Sequence, residues 1–182
     1  RSSDLDVQII VYYAGHGMPN PNTNDAYLLP VDGYSSDYTT AIKLSELYEQ
    51  LNSIPTKNTL VFLDACFSGT TRSNSDKMLT NVRGVRTAPK MSNPNGNMVV
   101  FSATSNTQTA HPYHEQSHGL FTYFTLKWLR ENYQNVVLGN WYDYINKEVS
   151  RTASKNTNIL QEQYPSALPS SSIKATWRDI TF

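Results

Sequence analysis

The sequence of 182 residues holds a single cysteine, Cys66, and that scarcity removes two classes of architecture. An internal disulfide framework is impossible, and so is a metal site built from several thiolates. A lone thiol suits a reducing compartment, so a cytoplasmic location is the expectation. Charge of one sign is also lacking. Lys plus Arg and Asp plus Glu number 15 each, giving a formal net charge of zero. No overall field therefore draws the chain to nucleic acid or to a membrane surface. The basic residues are scattered, with no stripe interleaved by aromatics. No apolar run approaches the ~18 residues of a membrane span, no secretory signal opens the chain, and no internal repeat is found. At this length the expectation is one domain over residues 1–182, large enough for a sheet with helices on both faces.

What the sequence does contain is concentrated in two short runs. Leu60-Val61-Phe62-Leu63-Asp64-Ala65-Cys66 is almost continuously apolar and is followed by Phe67-Ser68-Gly69. Such a run predicts a strand buried on both faces, as in a parallel sheet. In open α/β sheets reactive groups sit at the carboxyl ends of strands, which is where this run carries its thiol. The second run, Val7 to Tyr13, is of the same kind and leads through Ala14-Gly15 to His16-Gly17. Glycine on both sides of His16 permits φ > 0 and close backbone approach, which predicts a tight turn with an exposed neighbouring amide. Two strands thus end in an imidazole and a thiol, the base and nucleophile of a thiol hydrolase. A free cysteine is often only a small buried apolar residue; the strand end and the histidine partner favour the reactive role.

Tyr13-Ala14-Gly15-His16-Gly17 together with Asp64-Ala65-Cys66-Phe67-Ser68-Gly69 resembles the caspase-like cysteine peptidases, and most of all their prokaryotic and metacaspase-like branch. The histidine stands fifty residues before the cysteine, the spacing described for caspases. Tyr27-Leu28-Leu29-Pro30-Val31-Asp32 and Gly119-Leu120-Phe121-Thr122-Tyr123 fit the same likeness, which covers Val7 to Tyr133. Animal caspases carry glutamine where this chain has Asp64. The resemblance implies a caspase-like α/β fold with a largely parallel central sheet flanked by helices. It also implies two further strands before the one that ends in the histidine. Those are missing from this chain: either the sequence is cut short of them, or the chain is a processed fragment and a separate amino-terminal fragment of the same protein is its expected partner.

The resemblance further implies an endopeptidase in which Cys66 and His16 form a dyad, with the amides of Gly17 and Cys66 receiving the oxyanion. Asp64 is the specificity clue. It is a carboxylate in an apolar strand, two residues before the thiol, and period-two alternation points it to the same face. A buried carboxylate must be paired or must recognise a cation. In metacaspase-like enzymes the matching aspartate sits at the bottom of the S1 pocket and receives Arg or Lys. The same likeness gives Ser102, Ala103 and Thr104 to the substrate groove, where backbone groups meet an extended peptide. Two rivals stand beside this reading: an inactive caspase-like adaptor or scaffold, and an asparaginyl-type peptidase of the same fold, for which Asp64 is an odd choice.

The remaining expectations are structural. Met18 to Asn24 reads as a loop and Ala26 to Leu29 as a short strand, with Asp25 and Asp32 as turn or capping residues. Leu44, Leu47, Tyr48 and Leu51 form one stripe, predicting a helix over Ser45 to Ser53 with Ser45 as N-cap. Thr70 to Asn97 lacks periodicity and carries Arg72, Lys77, Arg83, Arg86 and Lys90 against one acid, Asp76. It reads as a flexible linker of the kind that joins caspase halves and is cut on activation. Met98 to Phe101 reads as a strand. Helices are expected around Leu120 to Leu129 and around Trp141 to Val149, the latter with Asn140 as N-cap. Ser150 to Ser172 is polar and punctuated by proline, and Ile173 to Trp177 is the expected edge strand. His111, His114 and His118 with Glu115 suggest zinc by spacing, but Pro112 and Gly119 break any helix there, so no metal is assigned. No cofactor is expected, and the sequence leaves a calcium requirement undecided.

Overall fold

A computed structural model describes residues 7–67, 89–105, 108–155 and 162–182. The chain begins with the long strand β1 (Gln8–Pro19) and turns back into β2 (Ala26–Leu29). It then passes through β3 (Ile42–Lys43) into helix α1 (Leu44–Asn52) and strand β4 (Asn58–Cys66). After β5 (Met98–Ser102) come the small ribbon β6 (Pro112–Tyr113) and β7 (His118–Gly119), then α2 (Leu120–Asn132) and α3 (Leu138–Lys155). The last strand is β8 (Ser166–Pro169).

Six of the strands form one sheet in the order β3-β2-β1-β4-β5-β8. Its centre, β1, β4 and β5, is parallel, and antiparallel strands close both sides, so the sheet is mixed. Every residue of β4 is buried, as its apolar run predicted. Its side chains alternate between two cores. Leu60, Phe62 and Cys66 face α2 and α3, whereas Val61, Leu63 and Ala65 face α1. The first core is aromatic: Phe62 stacks on Phe101 at 5.0 Å, and Trp141 of α3 lies 5.0 Å from Phe62 and 5.6 Å from Trp128 of α2. Helices therefore cover both faces of the sheet.

Several boundaries differ from the sequence reading, each for a visible reason. Met18 and Pro19 continue β1 rather than opening a loop, because they pair with Tyr27 and Ala26. The turn is confined to the residues beyond them, where the Asn20 side chain accepts from the amides of Asn22 and Thr23 and Asn24 takes a left-handed φ of 62°. α1 starts at Leu44 after Lys43, and no side chain caps it, so Ser45 is not the N-cap. α3 starts at Leu138, which puts Asn140 inside the helix. Ile173 to Trp177 forms no strand; short 3-10 turns occupy Ser171–Ile173 and Trp177–Asp179, because Trp177 folds inward against Phe101 at 6.0 Å. The edge falls to β8, where Pro169 sits at a strand end and no ladder amide is needed.

Asp25 is more than a turn residue. Its carboxylate meets the Lys43 ammonium at 2.8 Å, and that contact holds its carboxyl below the usual range. Most of the expected linker, including Arg72, Lys77, Arg83 and Arg86, lies outside the described residues. Its end is fastened: the Lys90 amide donates to the Asn24 carbonyl at 2.8 Å, and Pro89 and Pro94 are buried. Among the described residues no helix is long and apolar enough to cross a membrane.

Candidate active site

β1 and β4 run in parallel and in register from Gln8 opposite Asn58 to His16 opposite Cys66. Neighbouring strands lie about 4.8 Å apart, and register partners point to the same side of a sheet. The imidazole and the thiol thus share one face at the carboxyl end of β4, with His16 half-buried and Cys66 only 4% exposed. His16 does not stand at a tight turn, because β1 carries on to Pro19. Its flanking glycines do serve the close approach expected of them. A side chain at Gly15 would strike the Tyr13 ring, whose hydroxyl lies 2.8 Å from the carbonyls of both His16 and Leu29. A side chain at Gly17 would strike the Phe67 ring and the Cys66 carbonyl. The two glycines let the strand ends nest. The turn Ser68-Gly69 after the thiol lies outside the described residues.

The thiol is met by a segment that the sequence reading did not single out. The Ala110 amide donates to Cys66 Sγ at 2.8 Å, and the Ala110 carbonyl lies 3.7 Å from the same sulfur. The Ala110 backbone thus offers the sulfur both a donor and an acceptor. Ala110 is delivered by the loop after β5, and Gln163 holds that loop. This fully buried side chain donates to the Ala103 carbonyl at 3.0 Å and accepts from the His111 amide at 2.9 Å. Gln108 adds a second tie, accepting from the Tyr164 amide at 3.0 Å.

The same contacts bear on Ser102, Ala103 and Thr104, the groove residues named from the resemblance. Ser102 lies between Leu63 and Ser166 in the sheet. The Ala103 amide donates to the Leu63 carbonyl at 2.9 Å while its carbonyl accepts from Gln163. The Thr104 carbonyl accepts from Ser166 Oγ at 3.3 Å. These backbone groups serve the fold itself. The segment that reaches the thiol is the one around Ala110.

Asp64 shares the face of Cys66, two residues along β4, and is 1% exposed. It forms part of the wall of a cavity of about 490 Å³, together with Tyr12, His114, His118, Gly119 and Thr122. Thr122 Oγ1 donates to Asp64 Oδ2 at 2.5 Å, and the Tyr12 hydroxyl lies 2.7 Å from Thr122 Oγ1. Ala14, opposite Asp64 on β1, is small and leaves the cavity open on that side. Asp64 is the only acidic residue among the described residues that line this cavity. His114 begins a 3-10 turn and His118 lies in β7, so their spacing of four does not place them on one helix face. Among the described residues no three His, Cys, Asp or Glu side chains are grouped to hold a metal ion.

The sequence matches the family described as Caspase domain over residues 1–175. No curated protein matches the sequence. Among solved structures, caspase-1 from Spodoptera frugiperda superposes with a TM-score of 0.57 at 14% identity, covering 89% of this chain and 59% of that one. A protein from Geobacter sulfurreducens superposes with a TM-score of 0.61 at 16% identity, covering 95% of this chain and 69% of that one. The chain therefore spans less than two thirds of the insect caspase-1 chain, and at these identities the likeness is one of fold.

Proposed function

Because the chain belongs to the caspase family, we propose that it is a cysteine endopeptidase that uses Cys66 and His16 and cleaves after Arg or Lys. The observation that carries this reading is the register that sets His16 opposite Cys66 at the carboxyl end of the sheet. In the proposed reaction His16 takes the thiol proton and Cys66 Sγ attacks the scissile carbonyl. The oxyanion is received by the amides of Gly17 and Cys66. His16 then passes the proton to the leaving amine, and water releases the acyl group from sulfur. The chemistry runs between thiol and imidazole and draws on no cofactor. The same assay with calcium and with a chelator reports any calcium requirement.

The basic preference is supported by Asp64 at the wall of a cavity on the thiol's own face. A carboxylate there binds a guanidinium by charge-assisted hydrogen bonds. Fluorogenic peptides that differ only in the P1 residue test this. Arg and Lys should exceed Gln, Asn and Asp by roughly a hundredfold in kcat/KM, since each 1.4 kcal/mol is tenfold. Asp64→Asn should remove most of that advantage. Best cleavage after Asn would favour the asparaginyl rival, and no cleavage of any peptide would favour the inactive scaffold.

Two finer points belong to the same proposal. A preference for basic P1 residues makes the linker a substrate in its own chain, at Arg72, Lys77, Arg83, Arg86 or Lys90. An amino-terminal portion of the protein, carried as a separate fragment, would add a strand beside β1. In support, among the described residues no strand pairs with the outer side of Gln8–Gly15, where Ile10 and Tyr12 are half-exposed.

A further inference from the structure

We propose that Thr122 is a positioning residue for the Asp64 carboxylate, that Tyr12 sets its hydroxyl, and that Gly119 is a glycine to leave that carboxylate room. The proposal rests on the basic-P1 reading above and says what makes Asp64 effective.

A hydroxyl has one proton to give. Thr122 Oγ1 gives its proton to Asp64 Oδ2 at 2.5 Å. In the 2.7 Å contact between Thr122 and Tyr12, the tyrosine is therefore the donor. The direction of the whole chain is fixed: Tyr12 to Thr122 to Asp64. It ties three elements, since Tyr12 lies on β1, Asp64 on β4 and Thr122 in the first turn of α2. Asp64 and Thr122 are 1% and 6% exposed, so their bond forms where little water competes and electrostatic interactions are strong.

The terminal torsion of an aspartate is broad, so its carboxylate plane needs outside support to stay in one orientation. The Thr122 hydroxyl supplies that support on one oxygen. Gly119 supplies the space. Its φ of −71° is one that any residue adopts, yet a side chain there would collide with Asp64 Oδ2. The glycine is thus explained by the carboxylate and not by the backbone. Gly119 is also the N-cap of α2, a helix of 13 residues, whose partial positive end favours a negative charge beside it. Helix end, hydroxyl chain and missing side chain converge on one carboxylate at the wall of the cavity.

The test compares kcat/KM for two fluorogenic peptides, P1 Arg and P1 Gln, in full-length Thr122→Val, Thr122→Ser, Tyr12→Phe and Asp64→Asn. Both peptides are assayed on the same preparation, so the fraction of misfolded enzyme cancels in the Arg:Gln ratio. Thr122→Val should lower the Arg:Gln ratio about tenfold, chiefly through KM for the Arg peptide. Thr122→Ser should restore it. Tyr12→Phe, at a half-exposed ring that tolerates the change, should lower it about threefold, and it decides the matter where Thr122→Val fails to fold. A ratio unchanged in Thr122→Val, or in Tyr12→Phe where the former does not fold, while Asp64→Asn abolishes the preference, overturns the hydroxyl chain and leaves the pocket standing. An Arg preference that survives Asp64→Asn removes the pocket reading and this proposal with it.

Discussion

β1 and β4 lie side by side, paired residue for residue from Gln8 and Asn58 to His16 and Cys66, yet only β4 is buried along its whole length. Ile10 is 55% exposed and Tyr12 is 50% exposed, while their partners Leu60 and Phe62 are 0% and 3% exposed. Both runs look alike in sequence. The difference comes from neighbours. β4 has a strand on each side and a core on each face, whereas β2 reaches only the last four paired residues of β1, from His16 to Pro19. An apolar run records the burial that a strand is built for, and β1 is built for more cover than the described residues give it.

The largest effect that probes this pair is chemical and lies at its shared end. Cys66→Ala should remove several orders of magnitude of peptide hydrolysis while the far-ultraviolet circular dichroism stays native. The same variant should keep its linker intact, whereas active enzyme should cut its own chain at a basic residue in 70–97. Intact mass spectrometry of both proteins reads the outcome. Retention of more than about a tenth of wild-type turnover would end the thiol-peptidase reading.

Next in size is a direct contrast between register partners. Leu60→Ala should cost about 2–5 kcal/mol in denaturant unfolding, because it opens a cavity in a closed core. Ile10→Ala, across the same ladder, should cost less than about 1 kcal/mol, because much of its side chain is already in water. Equal costs would mean that β1 is covered after all. A cost at Ile10 that rises only when the proposed amino-terminal fragment is added would support that fragment as the cover.

The smallest effect lies on the opposite face of β4, where α1 packs. Tyr48 is buried, and its hydroxyl has no hydrogen-bond partner among the described residues. Tyr48→Phe should therefore stabilise the fold by about 1 kcal/mol, a rise of about 2–4 °C in Tm. Burial also pushes the Tyr48 hydroxyl above its ordinary value of 10.0. A raised folded-state pKa means the fold holds that proton more tightly than the unfolded chain does. The associated stability is complete below pH 10.0 and declines as the pH rises beyond it. Calorimetry across that range should show a shallower alkaline decline in Tyr48→Phe than in the wild type.

How much of this was legible depends on the range of the contacts involved. The buried strand β4, the shared face of Asp64 and Cys66, and the α1 stripe follow from local periodicity, and the structure has them. The glycines beside His16 are recognisable in sequence as sites of close approach, and the structure has that approach without the tight turn expected with it. They make room for Tyr13 and Phe67, and no alternation pattern encodes which ring will arrive. The loop that meets the thiol left no trace at all. Ala110 is 44 residues from Cys66, and Gln163 is 60 and 52 residues from its two partners. Those bonds are to backbone, which every residue carries alike. Thr122 stands 58 residues from Asp64 and reads in sequence only as part of a helix opening. The edge strand failed for a related reason: Trp177 was a plausible strand residue until a distant aromatic core claimed it.

The unbroken pairing of β1 with β4 has a consequence for how this chain can change length. From Gln8 to His16 and from Asn58 to Cys66 the ladder has no bulge. One residue inserted in either strand would turn His16 and Cys66 to opposite faces of the sheet, since side chains alternate with a period of two. Two inserted residues would restore the face but carry the groups roughly 7 Å apart along the strands. Neither can be repaired by a change of rotamer. Insertions and deletions are thus tolerable in the turns outside this ladder, and within it the reading frame of the two strands is as constrained as the identity of the residues at their ends.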